Sequence, residues 1–135
     1  MTTATAPVSQ DQIEELLLAG DGLRTVAGLS GQQVETLYSY GHQFYEQSKY
    51  EEAELFFSTA CFMDHKNDDY WMALGAARQA AGWYEEALTA YQQVAECDEI
   101  HPMFAIRVAE CFLAMGELEN AVQAVYYAVD LADET

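Results

Sequence analysis

Basic residues are scarce in this chain: five lysines and arginines stand against 23 aspartates and glutamates in 135 residues, a formal net charge of −18. Such a surface repels phosphate backbones and anionic headgroups, so neither nucleic-acid binding nor direct membrane binding is expected. The charge is spread along the chain, −3 over residues 1–33 and −4, −6 and −5 over the three following blocks of 34. That is a solvated coat rather than an acidic tail, and it suits a partner that is basic or hydrophobic. Long apolar runs are also missing. None approaches the roughly 18 residues that span a bilayer. The opening MTTATAPVSQ lacks the basic start and apolar stretch of a signal peptide, so a cytoplasmic location is expected. Cys61, Cys97 and Cys111 are odd in number and without CxxC spacing, and they read as reduced, largely buried thiols.

Assembled chemistry is lacking as well. DHKNDD at 64–69 fails as a calcium loop, because Lys66 takes a ligand position and no glycine follows at the turn. It reads instead as a connection between helices. His42, His65 and His101 have no zinc spacing. Glu51–Glu52 and Glu85–Glu86 fall in the first turns of helices, where negative charge suits the dipole. No metal, cofactor or catalytic residue is expected, and the chain reads as a non-enzyme.

What is present is a repeat. About half the residues are apolar, enough for one well-cored domain. A shift of 34 aligns Gly41, Gly75 and Ala109 without insertion; Ala53, Ala87 and Ala121; Phe57, Tyr91 and Val125; and Gly82 with Gly116. The W-x-x-L-G of Trp71–Gly75, followed by Ala87 and Tyr91, is the tetratricopeptide pattern. The expected fold is therefore all-α: three helix pairs in blocks 34–67, 68–101 and 102–135, behind an N-terminal segment 1–33. The helices are expected over 34–47, 51–64, 68–81, 85–97, 102–115 and 119–131. Small residues allow the paired helices to cross closely, and Gly82 and Gly116 end first helices in a left-handed conformation. Ser9 with Gln12 opens a leading helix over about 10–19, with the apolar stripe Ile13, Leu16 and Leu17. Ser30 with Gln33 caps the first repeat helix, stapled by Leu29 and Val34.

Stacked helix pairs curve, and their first helices line the concave face. The inward positions of such arrays, the fifth, ninth and twelfth of each repeat, are here Tyr38, His42 and Tyr45, then Met72, Ala76 and Gln79, then Ile106, Glu110 and Leu113. Most are apolar or aromatic, unlike a basic clamp for a peptide carboxylate. A groove of this kind accepts an extended segment with apolar anchors, unless the side chains pack on one another. Three anchors at about 1.5–3 kcal/mol each, less ordering costs, correspond to about micromolar binding. The final helix is apolar almost all round and no polar cap follows. Either a further helix is missing or this face meets another molecule.

Beyond the generic repeat, LYSYGHQFYEQSKYEEAELFF, DHKNDDYWMALGAARQAAGWYEEALTAY and HPMFAIRVAECFLAMGELENA resemble the class II chaperones of bacterial type III secretion. The resemblance covers residues 37–121. It implies a cytoplasmic chaperone that keeps hydrophobic translocator proteins soluble before export and grips an N-terminal segment of theirs through proline and leucine anchors. It also implies a homodimer, with Ile13, Leu16 and Leu17 as the contact. By position, Tyr38, His42 and Tyr45 match a stretch lining the family's anchor pockets, although a larger apolar residue is usual at His42. The alternatives are a chaperone of an effector or needle subunit, and a scaffold repeat protein.

Overall fold

In the computed structural model, residues 29–97 and 101–133 are described, with side chains as far as residue 130. The expected leading helix with Ile13, Leu16 and Leu17 lies outside them. The described residues form six helices and no strand: α1 (Gly31–Glu46), α2 (Tyr50–Met63), α3 (Asp68–Ala80), α4 (Tyr84–Ala95), α5 (Phe104–Ala114) and α6 (Leu118–Asp133). They pack as the pairs α1/α2, α3/α4 and α5/α6, and each pair leans on the next through α2/α3 and α4/α5.

Local chemistry sets most boundaries. The Ser30 hydroxyl accepts from the Gln33 backbone N–H at 3.2 Å, and the Gln33 side chain accepts from the Ser30 N–H at 2.9 Å. This capping box starts α1 at Gly31, three residues before the period of 34 places it. Leu29 and Val34 join the same apolar cluster, as a staple requires. Asn67 caps α3 by accepting from the Tyr70 N–H at 3.3 Å. α5 begins two residues later than expected. Pro102 and Met103 are spent in a turn, where the Met103 N–H donates to His101 Nδ1 at 3.2 Å.

The turn inside each pair is made the same way three times. Gly82 and Gly116 have φ of 87° and 78°. The N–H groups of Trp83 and Glu117 donate back to Arg78 and Phe112 at 2.8 and 2.9 Å, while those of Gly82 and Gly116 donate to Gln79 and Leu113. These are paired Schellman bonds. Ser48 occupies the same place in the first pair with φ 62°, and the Lys49 N–H donates to Phe44 at 2.9 Å. Sequence reading found the two glycines and missed Ser48, because serine carries no signature of a left-handed cap.

The helices of a pair cross where side chains are smallest. A Cβ on Gly41 would lie 2.5 Å from the Phe57 ring, and one on Gly75 closer still to the Tyr91 ring. Ala53, Ala87 and Ala121 are buried at the neighbouring crossing position. Between pairs, Arg78 donates from Nε to Glu54 at 2.9 Å and from Nη1 to the Glu86 carbonyl at 3.0 Å, linking α2, α3 and α4. Three mutational outcomes follow from this geometry. In thermal melts, Gly75→Ala loses on the order of 1–2 kcal/mol, overpacking outweighing the gain in helix propensity. Gly31→Ala loses nothing, since nothing lies within 4 Å of its Cβ position. Ser48→Gly gains about 1 kcal/mol by relieving the left-handed strain.

Candidate functional site: the concave face

The nine inward positions fall on α1, α3 and α5, but the structure does not give them one role. Tyr38 and Tyr45 are half-buried and His42 is exposed on α1. The Tyr38 ring meets His42 edge-on at 4.5 Å and lies 4.8 Å from Tyr70, and His42 stands against Phe57 at 5.1 Å. Ile106 and Leu113 on α5 are large apolar side chains 42% and 56% exposed. Met72 is the correction. It is buried with Ala87, Tyr91, Val94 and Cys111 in the core between the second and third pairs, so it is packing rather than open wall.

Tyr45, Ala76, Gln79 and Glu110 come together around a recess of about 240 Å³, shared with Ala80, Tyr84, Arg107 and Ala114. Three alanines provide room, and Tyr45 and Tyr84 supply aromatic walls. One side is polar and internally satisfied. The hydroxyl of fully buried Tyr91 donates to Gln79 Oε1 at 2.8 Å, Gln79 Nε2 donates to Glu110 Oε1 at 2.9 Å, and Arg107 Nη1 donates to the same oxygen at 3.0 Å. The Glu110 carboxyl is held below its ordinary range by the Gln79 hydrogen bond and, next, by Arg107, against the opposing effect of burial. Burial pushes the Tyr91 hydroxyl up, so it donates as a neutral phenol.

Arg107, Tyr84, Ala80 and Ala114 were not singled out from sequence. Arg107 follows Ile106 and lies one residue off the inward positions, and its length carries the guanidinium back to Glu110. At the opposite end of α1 and α3, the Tyr70 hydroxyl donates to Glu35 Oε2 at 2.6 Å. Tyr38 has its pKa raised by burial first, and then by Asp69, Glu35 and Asp68. Cys61 and Cys111 are buried thiols, pushed by that burial up to about 12 and about 11, the reverse of an activated nucleophile. Among the described residues no group of three or more His, Cys, Asp or Glu is placed to hold a metal ion, and no helix is long and apolar enough to cross a membrane.

A row of helix pairs with close crossings at small residues and left-handed turns inside each pair defines a tetratricopeptide protein. The tetratricopeptide repeat model matches residues 34–67 and 69–96. The chain is 36% identical over 124 residues to the low calcium response locus protein H of Yersinia pestis, covering 91% of this chain and 74% of that protein. Its fold is similar to PcrH of Pseudomonas aeruginosa, solved in complex with the chaperone-binding region of PopB, at 38% identity and a TM-score of 0.74, covering 80% of this chain and 87% of that one. It is similar also to the Yersinia enterocolitica type III secretion chaperone SycD, solved with a peptide of the translocator YopD, at 36% identity and a TM-score of 0.72, covering 77% and 79%. The chain belongs to the family of type III secretion translocator chaperones.

The lowered pKa of Glu110 makes the polar strip pH-sensitive. A carboxyl with a depressed folded pKa adds stability above its unfolded value, about 4.3, and loses it as pH falls through the folded value. The melting temperature of Glu110→Gln should therefore lie below that of the parent at pH 7, and the gap should narrow progressively below about pH 4.

Proposed function

We propose that this protein is a chaperone that holds an extended apolar segment of a type III secretion translocator along the concave face formed by α1, α3 and α5, keeping it soluble before export. One observation carries this reading. Tyr38 and Tyr45 on α1 and Ile106 and Leu113 on α5 present accessible apolar surface on the first helices of the first and third pairs, and Tyr45 lines a recess of side-chain size. That surface occurs in a chain whose similar structures include PcrH with the chaperone-binding regions of PopB and PopD. An apolar segment destined for a membrane is an aggregation hazard in water, and a strongly acidic binder that covers it keeps the complex dispersed.

The protein acts by binding, without chemistry and without a bound cofactor. Gln79 and Arg107 in the recess both donate to Glu110, and the two most buried thiols are held neutral. It works in the bacterial cytoplasm, as a homodimer through a contact made by Ile13, Leu16 and Leu17. SycD has been solved in an alternative dimer.

Calorimetric titration with an N-terminal translocator peptide carrying proline and leucine anchors should give about micromolar, sequence-dependent binding. A scrambled peptide should not bind. Tyr45→Ala should weaken binding about tenfold or more, with helical content by circular dichroism unchanged. Failure of the anchored peptide to bind the folded protein would overturn the groove reading. A loss of helix in Tyr45→Ala would reassign Tyr45 to the core.

A further inference from the structure

The core between the second and third pairs has two halves. The second pair supplies Met72 from α3 with Tyr84, Leu88, Tyr91 and Val94 from α4, and α5 lays Phe104, Val108 and Cys111 across them. One period further on, the third pair presents the same first half: Ile106 on α5 with Leu118, Val122, Val125 and Ala128 on α6. Among the described residues no helix lies across it. Met72 is 8% exposed and its counterpart Ile106 42%, while Tyr91 is fully buried and its counterpart Val125 is 50% exposed. The equivalent face of the first pair is covered as well, by Tyr70, Leu74 and Ala77 of α3.

The molecule thus shows twice what such a face receives. Both times it is an α-helix, and both times the seated side chains are an aromatic ring, a branched aliphatic and a small residue at i, i+4 and i+7. An extended segment cannot present that spacing on one side. A second copy is a poor occupant, because α6 carries Glu119, Asp130 and Asp133 and no lysine or arginine, so two such helices repel. Residues 9–20 of the chain, with Asp11, Glu14 and Glu15 and no lysine or arginine, bring the same conflict. The cargo is better suited. Ile106 belongs both to the concave face and to this one, so the two surfaces are continuous. Apolar segments that enter a membrane singly close their backbone hydrogen bonds as helices, which is what a translocator brings besides its extended anchors. Resting on the groove reading above, we infer that the open face of the third pair takes an amphipathic helix of the same cargo, seated like the first helix of a fourth pair. The two contacts reinforce each other through effective concentration, so either one can be weak alone.

The test uses the whole chain co-purified with the full-length translocator that supplies the anchored peptide. The photo-crosslinker benzoylphenylalanine replaces Val125 or, as a control, the exposed Glu85 on α4. After irradiation, mass spectrometry should place the crosslink from position 125 in an apolar stretch of the translocator outside the anchored segment, with none from position 85. In a chase with excess unlabelled chaperone, labelled translocator should leave Val125→Asp roughly tenfold faster than the parent. The anchored peptide alone should bind Val125→Asp as it binds the parent, and melts check that the variant is folded. A crosslink into a second copy, into residues 1–28 of the chain or into the anchored segment alone would overturn the inference and leave the groove reading standing. So would the absence of any crosslink, or an unchanged release rate. Failure of the anchored peptide to bind the parent would remove both readings.

Discussion

The Tyr91 ring pressed against Gly75 is the contact on which the middle of the binding face depends. A helix pair can close to that distance only where one partner has no side chain, and the ring then fills the space beside the crossing. Because the ring is fully buried, its hydroxyl must find a partner within the protein. It finds Gln79 one helix away, and Gln79 in turn holds Glu110 on the next pair. A packing constraint inside the second repeat thus orders a polar strip on the surface that the third repeat shares. Gly41 and Phe57 make the same crossing in the first pair, but Phe57 has no hydroxyl to project, and the face there is aromatic rather than polar. The aligned positions in the third repeat carry Ala109 and Val125, a larger residue in place of the glycine and a smaller one in place of the ring.

Much of this architecture was legible in the sequence because a period of 34 reports helix pairs through residues that can serve only one purpose. A glycine facing a buried ring, or a glycine with positive φ, leaves little choice, and those positions recur. What escaped were features whose residue types have several uses. Ser48 is an ordinary surface serine until its backbone is seen in the left-handed region. Met72 sits at an inward position by count, yet its flexible side chain fills the gap between the second and third pairs, and counting positions says nothing of where a long side chain ends. Arg107 failed in the opposite sense. Its Cα lies beside the face and its guanidinium returns to it. The nine inward positions do fall on α1, α3 and α5, while their division into aromatic, polar and aliphatic stretches required the side chains.

The division matters physically because a uniformly apolar groove would be a poor chaperone. It would bind any greasy segment, including the face of another copy, and such patches invite self-association. Here a polar strip adjoins the apolar surface at the Tyr45 end, and its groups are already hydrogen-bonded, so an incoming backbone meets little unsatisfied polarity. The recess lined by Tyr45 and Tyr84 is the point on this face where a side chain can be enclosed.

The acidic coat then follows from the task rather than from the fold. Helix pairs of this kind need no particular net charge, and the carboxylates lie mostly in first helical turns and on exposed faces, where they cost little. α6 nonetheless presents Leu118, Val122, Val125, Tyr126 and Val129 to solvent, an apolar face on the same molecule. Val125 is half exposed, whereas its equivalents Phe57 and Tyr91 are covered by the first helix of a following pair. Electrostatic repulsion between copies counters the tendency of that face and the groove to collapse together, at a range of about one Debye length. High charge is thus what allows a protein to keep so much apolar surface open for a partner and remain dispersed while it waits.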